Sequence, residues 1–153
     1  MDVKFKEAKA DLWSYHEQPG TAVFITTNGT LKQNNDLVMG KGCAKEAYDK
    51  FPGIHVVLGQ AVRKYGNQVM YLEEFQVGTL PVKSQYYLKA DKVLIENSMK
   101  QLVNLANLPE NKKKWKSIVI PRPGCGNGGL NWESEVKPIL AGLLDERFII
   151  VSK

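Results

Sequence analysis

A chain of 153 residues is long enough for one domain with a substantial core and too short for two of ordinary size, so 1–153 reads as a single domain. With 43% hydrophobic and 24% charged residues it has the balance of a folded globular protein, which excludes a disordered or fibrous chain. The formal charge of +5 anticipates an acidic partner without choosing among nucleic acid, nucleotide and acidic protein, and no apolar run reaches the ~20 residues that cross a bilayer.

Met1-Asp2-Val3-Lys4 carries no signal-peptide pattern, so a cytoplasmic location and no membrane partner are expected. A first short strand is predicted at 3–5 and a second, rich in β-branched residues, at 21–27. Two helices follow at 42–51 and 53–65, broken at Phe51-Pro52-Gly53. Strands are then predicted at 68–71 and 75–80. The segment 91–107 spaces Val93, Leu94, Met99, Leu102, Val103 and Leu105 for one buried helical face. After a strand at 117–121 comes a helix at 132–144, with Asn131 as N-cap and a kink or late start at Pro138. The last strand is 147–151. Strands alternating with helices give an α/β sandwich, a largely parallel sheet with helices on both faces.

In such sheets ligands bind beyond the carboxyl ends of the strands, which directs attention to 27–42 and 121–131. Of the 13 glycines, Gly29, Gly40, Gly42, Gly124, Gly126, Gly128 and Gly129 fall in these two segments. Glycine permits positive φ and close approach of the backbone, and free N–H groups ahead of a helix hold anions. Two such loops on one edge can grip a diphosphate; as ordinary tight turns they would do nothing. Three standard phosphate devices fit poorly. A P-loop fails because Asn35 stands where its first glycine belongs and Gly42 follows Lys41. Gly124-x-Gly126-x-x-Gly129 matches the dinucleotide-binding pattern, but too little chain follows for that fold. A protein-kinase loop demands a much larger chain.

Ala10-Asp11-Leu12, Thr26-Thr27-Asn28-Gly29, Met39-Gly40-Lys41-Gly42-Cys43-Ala44 and the run from Pro121-Arg122-Pro123-Gly124 through Asn131-Trp132 follow the order and spacing of a macrodomain, an ADP-ribose-binding module. From about residue 4 to 151 the chain resembles that family. It is most similar to the branch of the terminal ADP-ribose protein glycohydrolase and the antitoxins that remove ADP-ribose from DNA. The resemblance implies a three-layer α/β/α sandwich with a mixed, largely parallel sheet. It also implies that Asp11 accepts from the adenine amino group and that Leu12 offers its backbone N–H to the same ring. Gly40, Lys41, Gly42, Cys43 and Ala44 would border the diphosphate and distal ribose. Gly124, Cys125, Gly126, Asn127, Gly128, Gly129 and Leu130 would form the second phosphate loop, with Asn28 and Asn34 at the distal ribose hydroxyls. Without the family, Asp11 reads as an N-cap beside Ser14.

The glycohydrolase branch places a lysine just after a central strand, where it attacks or polarises the distal ribose. Leu80-Pro81-Val82-Lys83 matches that position, making Lys83 the candidate catalytic residue. Burial favours such chemistry by weakening the hold of an ammonium on its proton, although a lysine in an exposed loop is ordinarily only solvated. The branch's assisting aspartate is replaced by Gly128, which resembles the antitoxins instead.

Cys43 and Cys125 lie in the loops, but no histidine near them in sequence suggests activation, so packing is expected. His16 and His55 are too few for a metal site, and neither metal nor cofactor is predicted. Lys112-Lys113-Lys114-Trp115-Lys116 reads as a solvated turn entering a strand with Trp115 covering an edge; the alternative is contact with nucleic acid through phosphates and base stacking. Tyr86-Tyr87 either line the mouth of the pocket or pack elsewhere. The expected function is an ADP-ribosyl hydrolase acting on ADP-ribosylated nucleic acid or protein. An ADP-ribose 1″-phosphate phosphatase, a non-catalytic ADP-ribose reader and a nucleic-acid binder without a nucleotide pocket are the alternatives. A monomer of bacterial or phage origin is expected.

Overall fold

The computed structural model describes residues 3–153; Met1 and Asp2 of the N-terminal tetrapeptide lie outside the described residues. Six runs form strands: β1 (Lys6–Lys9), β2 (Thr21–Asn28), β3 (Met70–Leu72), β4 (Val77–Lys83), β5 (Ser117–Pro121) and β6 (Phe148–Ser152). They build one sheet in the order β1-β6-β5-β2-β4-β3. Only the β3–β4 pair is antiparallel; the other four pairings are parallel. Helices α1 (Gly42–Lys50), α2 (Ile54–Tyr65), α3 (Lys92–Ala106), α4 (Pro109–Lys114) and α5 (Lys137–Ala141) complete the chain, with a 3₁₀ turn at Leu12–Tyr15.

Side chains alternate across a strand, so a sheet buried on both faces needs apolar residues at successive positions. β2 supplies them: Phe24 enters a core with Ile95, Met99 and Leu102 of α3 and Leu140 of α5, while Val23 and Ile25 enter another with Ala47, Ile54 and Leu58 of α1 and α2. Three layers result, as the sequence implied. The central strands pack between α3–α5 on one side and α1–α2 on the other.

Several elements differ from expectation. The first strand is Lys6–Lys9, not 3–5: Phe5 is a core anchor just ahead of it, and the polar strand is defined by parallel pairing to β6. β4 runs on to Lys83 through Pro81, where its register against β2 shifts between Thr27 and Asn28. An irregularity suits a proline that has no N–H to give. Lys112, Lys113 and Lys114 of the lysine run are the end of a helix rather than a turn, with Trp115 and Lys116 leading on to the next strand. Pro109 opens α4, and Asn111 Nδ2 donates to the Leu105 carbonyl at 2.9 Å. Trp115 is buried against Phe24 and Tyr71, with centroids 5.9 and 4.9 Å away, so it cannot stack on a base. Pro138 delays the last helix: a π turn over Trp132–Val136, capped by Asn131, precedes α5, which ends at Ala141.

Two ionic clusters tie β1 to the 132–137 segment and the start of β6 to the end of α3. Glu7 accepts from Trp132 Nε1 at 3.0 Å and from Lys137 Nζ at 2.9 Å, with Arg122 3.6 Å away. Desolvation alone would raise its pKa, but the hydrogen bonds from Lys137 and Trp132 and the nearby cations outweigh it and hold the carboxyl low. Hydrogen bonds from Arg147 lower Asp145 likewise, against desolvation, and Arg147 also reaches Asn107 Oδ1 at 2.9 Å. Both folded-state pKa values lie below their unfolded values, so this stability is complete above the unfolded range and is lost as pH falls through the folded values. Thermal melts should therefore show Tm falling on acidification below about pH 4.5, the usual carboxylate range. Glu7→Gln should flatten part of that fall. An equally steep fall in the variant would exclude Glu7 as a source.

Candidate functional site

The loops after β2 and β5 lie at the carboxyl ends of their strands and enclose, with the ends of β4 and β6, a cavity of about 1030 Å³. On one side α1 begins at Gly42, whose φ of +62° is the left-handed region. The first N–H groups of a helix lack intrahelical acceptors, so Gly42, Cys43 and Ala44 face the cavity with donors to spare. Lys41, the N-cap, makes no side-chain cap.

The second loop folds on itself. Gly124, Gly126 and Gly129 take φ values of +73°, +89° and +78°, and Gly129 N and Leu130 N donate to the carbonyls of Gly126 and Gly124. The N–H groups of Gly126, Asn127 and Gly128 donate to no protein acceptor among the described residues. Successive unpaired N–H groups of this kind form an anion nest. Asn127 spans toward the first loop: its Nδ2 lies 3.2 Å from where a Cβ on Gly42 would sit. Gly128 has another reason to be glycine. A Cβ there would fall 2.3 Å from the Gly124 oxygen and 2.8 Å from the Ala90 Cβ.

Lys83, the last residue of β4, is half-buried in the cavity wall. Its Nζ donates to the carbonyls of Tyr86 at 3.2 Å and Asn127 at 3.3 Å. An ammonium has three donors, so one is left for a ligand. The lysine is thus not a loose surface side chain. It is aimed between the second loop and the 84–90 segment.

Lys41, Lys83, Lys89, Arg122 and Lys153 line the cavity against a single acidic side chain, Glu46, among the described residues. Glu46 accepts from Trp13 Nε1 and Lys153 Nζ, both at 3.0 Å. The positive excess suits an anionic ligand.

The other candidates divide clearly. Gly40 to Ala44 and Gly124 to Gly129 all reach the wall, as do Leu12 and Asn28. Asn28 is engaged locally, donating to the Val38 carbonyl at 3.1 Å and accepting from Thr30 N at 2.9 Å, so it shapes the first loop. Asp11 is exposed beside the wall rather than in it. Its Oδ1 accepts from Trp13 N at 3.2 Å and its carbonyl accepts from Ser14 Oγ, the N-cap arrangement. Asn34 stands apart, accepting from Asp36 N in an exposed turn. Leu130 is buried in the core, where it closes the loop through its N–H. Lys89, Arg122, Glu46 and Lys153 were missed. Glu46 lies one helical turn beyond Gly42, a spacing that offers a usable signal, whereas nothing local marks Lys153.

Neither cysteine is set up as a nucleophile. Desolvation raises the Cys43 thiol, which lies 3.4 Å from the Thr26 N–H that donates to it, and pushes Cys125 up to about 11. His16 Nε2 meets the Phe75 carbonyl at 3.0 Å and the His55 ring packs against Tyr48 at a tilt of 55°, centroids 4.7 Å apart. Among the described residues no three His, Cys, Asp or Glu side chains are grouped to hold a metal, and no helix is long and apolar enough to cross a membrane.

A mixed six-stranded sandwich carrying two glycine loops over a basic cleft has the macrodomain fold. Solved structures agree: the macrodomain of Mycobacterium tuberculosis DarG superposes with a TM-score of 0.72 at 19% identity, covering 99% of both chains. The macrodomain of Thermus aquaticus DarG gives 0.67 at 22% identity over 97% of both. Thermosipho africanus DarTG in complex with ADP-ribose gives 0.68 at 22% identity, over 97% of this chain and 42% of that one. Among curated proteins, a DNA ADP-ribosyl transferase–DNA ADP-ribosyl glycohydrolase fusion protein of Thermosipho africanus (strain H17ap60334) is 28% identical over 141 residues, 75% of this chain. The chain spans about a third of the length of that relative. No family model matches the sequence.

Proposed function

We propose that this macrodomain binds ADP-ribose between its two glycine loops and hydrolyses the bond joining the distal ribose to nucleic acid or protein. The observation that carries the reading is Lys83 Nζ, held by the Tyr86 and Asn127 carbonyls at the junction of the second loop with the cavity wall. The free N–H groups of the two loops and the surrounding cations would take the diphosphate. Leu12 N–H at the other end of the cavity would meet the adenine. Asp11 can join it through Oδ2 while Oδ1 keeps its cap to Trp13. Support for the ligand comes from the DarTG structure, which holds ADP-ribose, and support for the reaction from the name of the fusion protein.

Hydrolysis breaks the bond from the anomeric carbon of the distal ribose and places water's hydroxyl there, while the leaving group takes a proton. Lys83 acts at that carbon. No carboxylate of the second loop assists, because position 128 is glycine. Glu46, the acidic side chain of the wall among the described residues, already accepts from Trp13 and Lys153, which favours this reading over a phosphatase that needs a carboxylate to activate water.

A thermal-shift titration tests the ligand. At about 100 times its Kd, ADP-ribose stabilises by roughly 2.7 kcal/mol, or several degrees in a domain of this size. No shift at millimolar ligand overturns the reading. A shift without release from modified DNA, RNA or protein identifies a reader instead.

A further inference from the structure

The segment between β4 and α3 turns an unusual amount of aromatic surface outward. Tyr86 and Tyr87 are 53% and 69% exposed, and Leu88 beside them is 43% exposed. The two rings stand edge to face, centroids 5.4 Å apart and planes at 89°. Both belong to the cavity wall, together with Lys89.

This is not a floppy loop. Gly29 N donates to the Ser84 carbonyl, Tyr86 N donates to Thr30 Oγ1 at 2.8 Å, and Thr30 Oγ1 donates to Gln85 Oε1 at 2.7 Å. At its far end Ala90 N donates to the Gly128 carbonyl at 2.9 Å. The segment is therefore braced to both glycine loops, and its backbone holds Lys83 through the Tyr86 carbonyl. Held on this braced backbone beside Lys83, the two rings pack edge to face on each other and turn most of their surface to solvent.

We propose that Tyr86 and Tyr87 form a stacking ledge for an unpaired base of a single-stranded nucleic acid that carries the ADP-ribose, with Lys89 meeting its phosphate. The proposal rests on the ADP-ribose reading of the cavity. Three observations favour this occupant over a peptide. The wall carries five basic side chains against one acidic, which attracts a polyanion. Two rings at right angles offer a face to a flat base, and stacking on aromatics tolerates any base. The ledge adjoins Lys83, so what it touches is the group attached to the distal ribose. A duplex has no free base face to offer, so the strand must be single. The lysine run of α4 precedes the amino end of β5, opposite the cavity, and takes no part.

The test uses a fluorescent single-stranded oligonucleotide of roughly six nucleotides carrying one ADP-ribose, in deoxy and ribo forms. It is compared with free ADP-ribose, an ADP-ribosylated peptide and the same modified strand in a duplex. Any probe that the wild type consumes is read in the Lys83→Ala background. The wild type should bind the modified single strand about tenfold or more tightly than free ADP-ribose. Tyr86→Ala with Tyr87→Ala should remove most of that gain and Tyr86→Phe with Tyr87→Phe should keep it; because both rings also belong to the cavity wall, free ADP-ribose is measured alongside, and its loss of affinity should be several-fold smaller than that of the modified strand. The deoxy and ribo arms tell which strand is preferred. A gain that survives the double alanine variant, a wild type with no gain, or an alanine effect seen only with the peptide overturns the ledge. Failure of the wild type to bind free ADP-ribose instead overturns the reading of the cavity.

Discussion

Lys83→Ala is expected to reduce release of ADP-ribose by about 10²–10³-fold or more, the usual cost of removing a charged group that acts on the reacting centre. Its ADP-ribose thermal shift should stay close to that of the wild type. The two readouts separate because, on the proposed reading, Lys83 acts at the reacting bond whereas the free N–H groups of the two loops would hold the diphosphate. Losing the side chain also frees the carbonyls of Tyr86 and Asn127, which water at the half-exposed wall can satisfy. Stability should therefore fall by no more than about 1 kcal/mol. Lys83→Arg keeps the charge but not the compact ammonium, and should not restore turnover. Single-turnover release from a modified oligonucleotide or protein is the measurement, and an unchanged rate in the alanine variant would falsify the role of Lys83.

The second large effect concerns Gly128. The aspartate that the resemblance to the glycohydrolase branch would place in this loop invites the substitution Gly128→Asp as a gain of function. The packing forbids it. A Cβ at 128 would sit 2.3 Å from the Gly124 oxygen, and that oxygen is fixed because it accepts the Leu130 N–H that closes the loop. Ala90 blocks the other side at 2.8 Å while donating to the Gly128 carbonyl. Backbone must move, not a flexible side-chain tip. Overpacking of this kind costs about 1–3 kcal/mol, or roughly 2–10 °C in Tm. Because the N–H of 128 belongs to the anion nest, ADP-ribose affinity should fall by about tenfold or more, the equivalent of ~1.4 kcal/mol. Gly126→Ala is the control. Space is open there, so only the left-handed φ of +89° is strained, at roughly 1–2 kcal/mol. Faster turnover by Gly128→Asp would overturn this account of the loop.

Much of the frame was legible in the sequence because local periodicity records which side chains are buried. The helix expected at 91–107 is α3, Lys92–Ala106, with Asp91 accepting from Val93 N and Leu94 N as its cap; Met99 and Leu102 of the expected face are buried, but Val93 is 67% exposed and Ile95 stands in the core instead. The strand at 117–121 is β5 itself. Where burial and periodicity part company, the reading faltered. β1 is an edge strand of Lys, Glu, Ala and Lys whose only reason to be extended is its backbone pairing with β6. The lysine run looked like a solvated turn because its charges dominate, yet Pro109 and the Asn111 bond to Leu105 start a helix there.

The charge of +5 and the 13 glycines already held most of what could be known about the site. Glycine-rich segments at strand ends imply exposed N–H groups whatever the rest of the chain does, since a parallel sheet sends its strand ends to one edge. Which residues stand in the wall was decided by contacts between distant segments. Asp11 turned its Oδ1 to a cap, Leu130 went into the core, and Glu46 and Lys153 met across the chain. The same contacts set Lys83 between two carbonyls and left Tyr86 and Tyr87 facing water. Sequence order specifies neighbours along the chain; a side chain's direction and partners depend on packing across it, and only the folded structure could decide those.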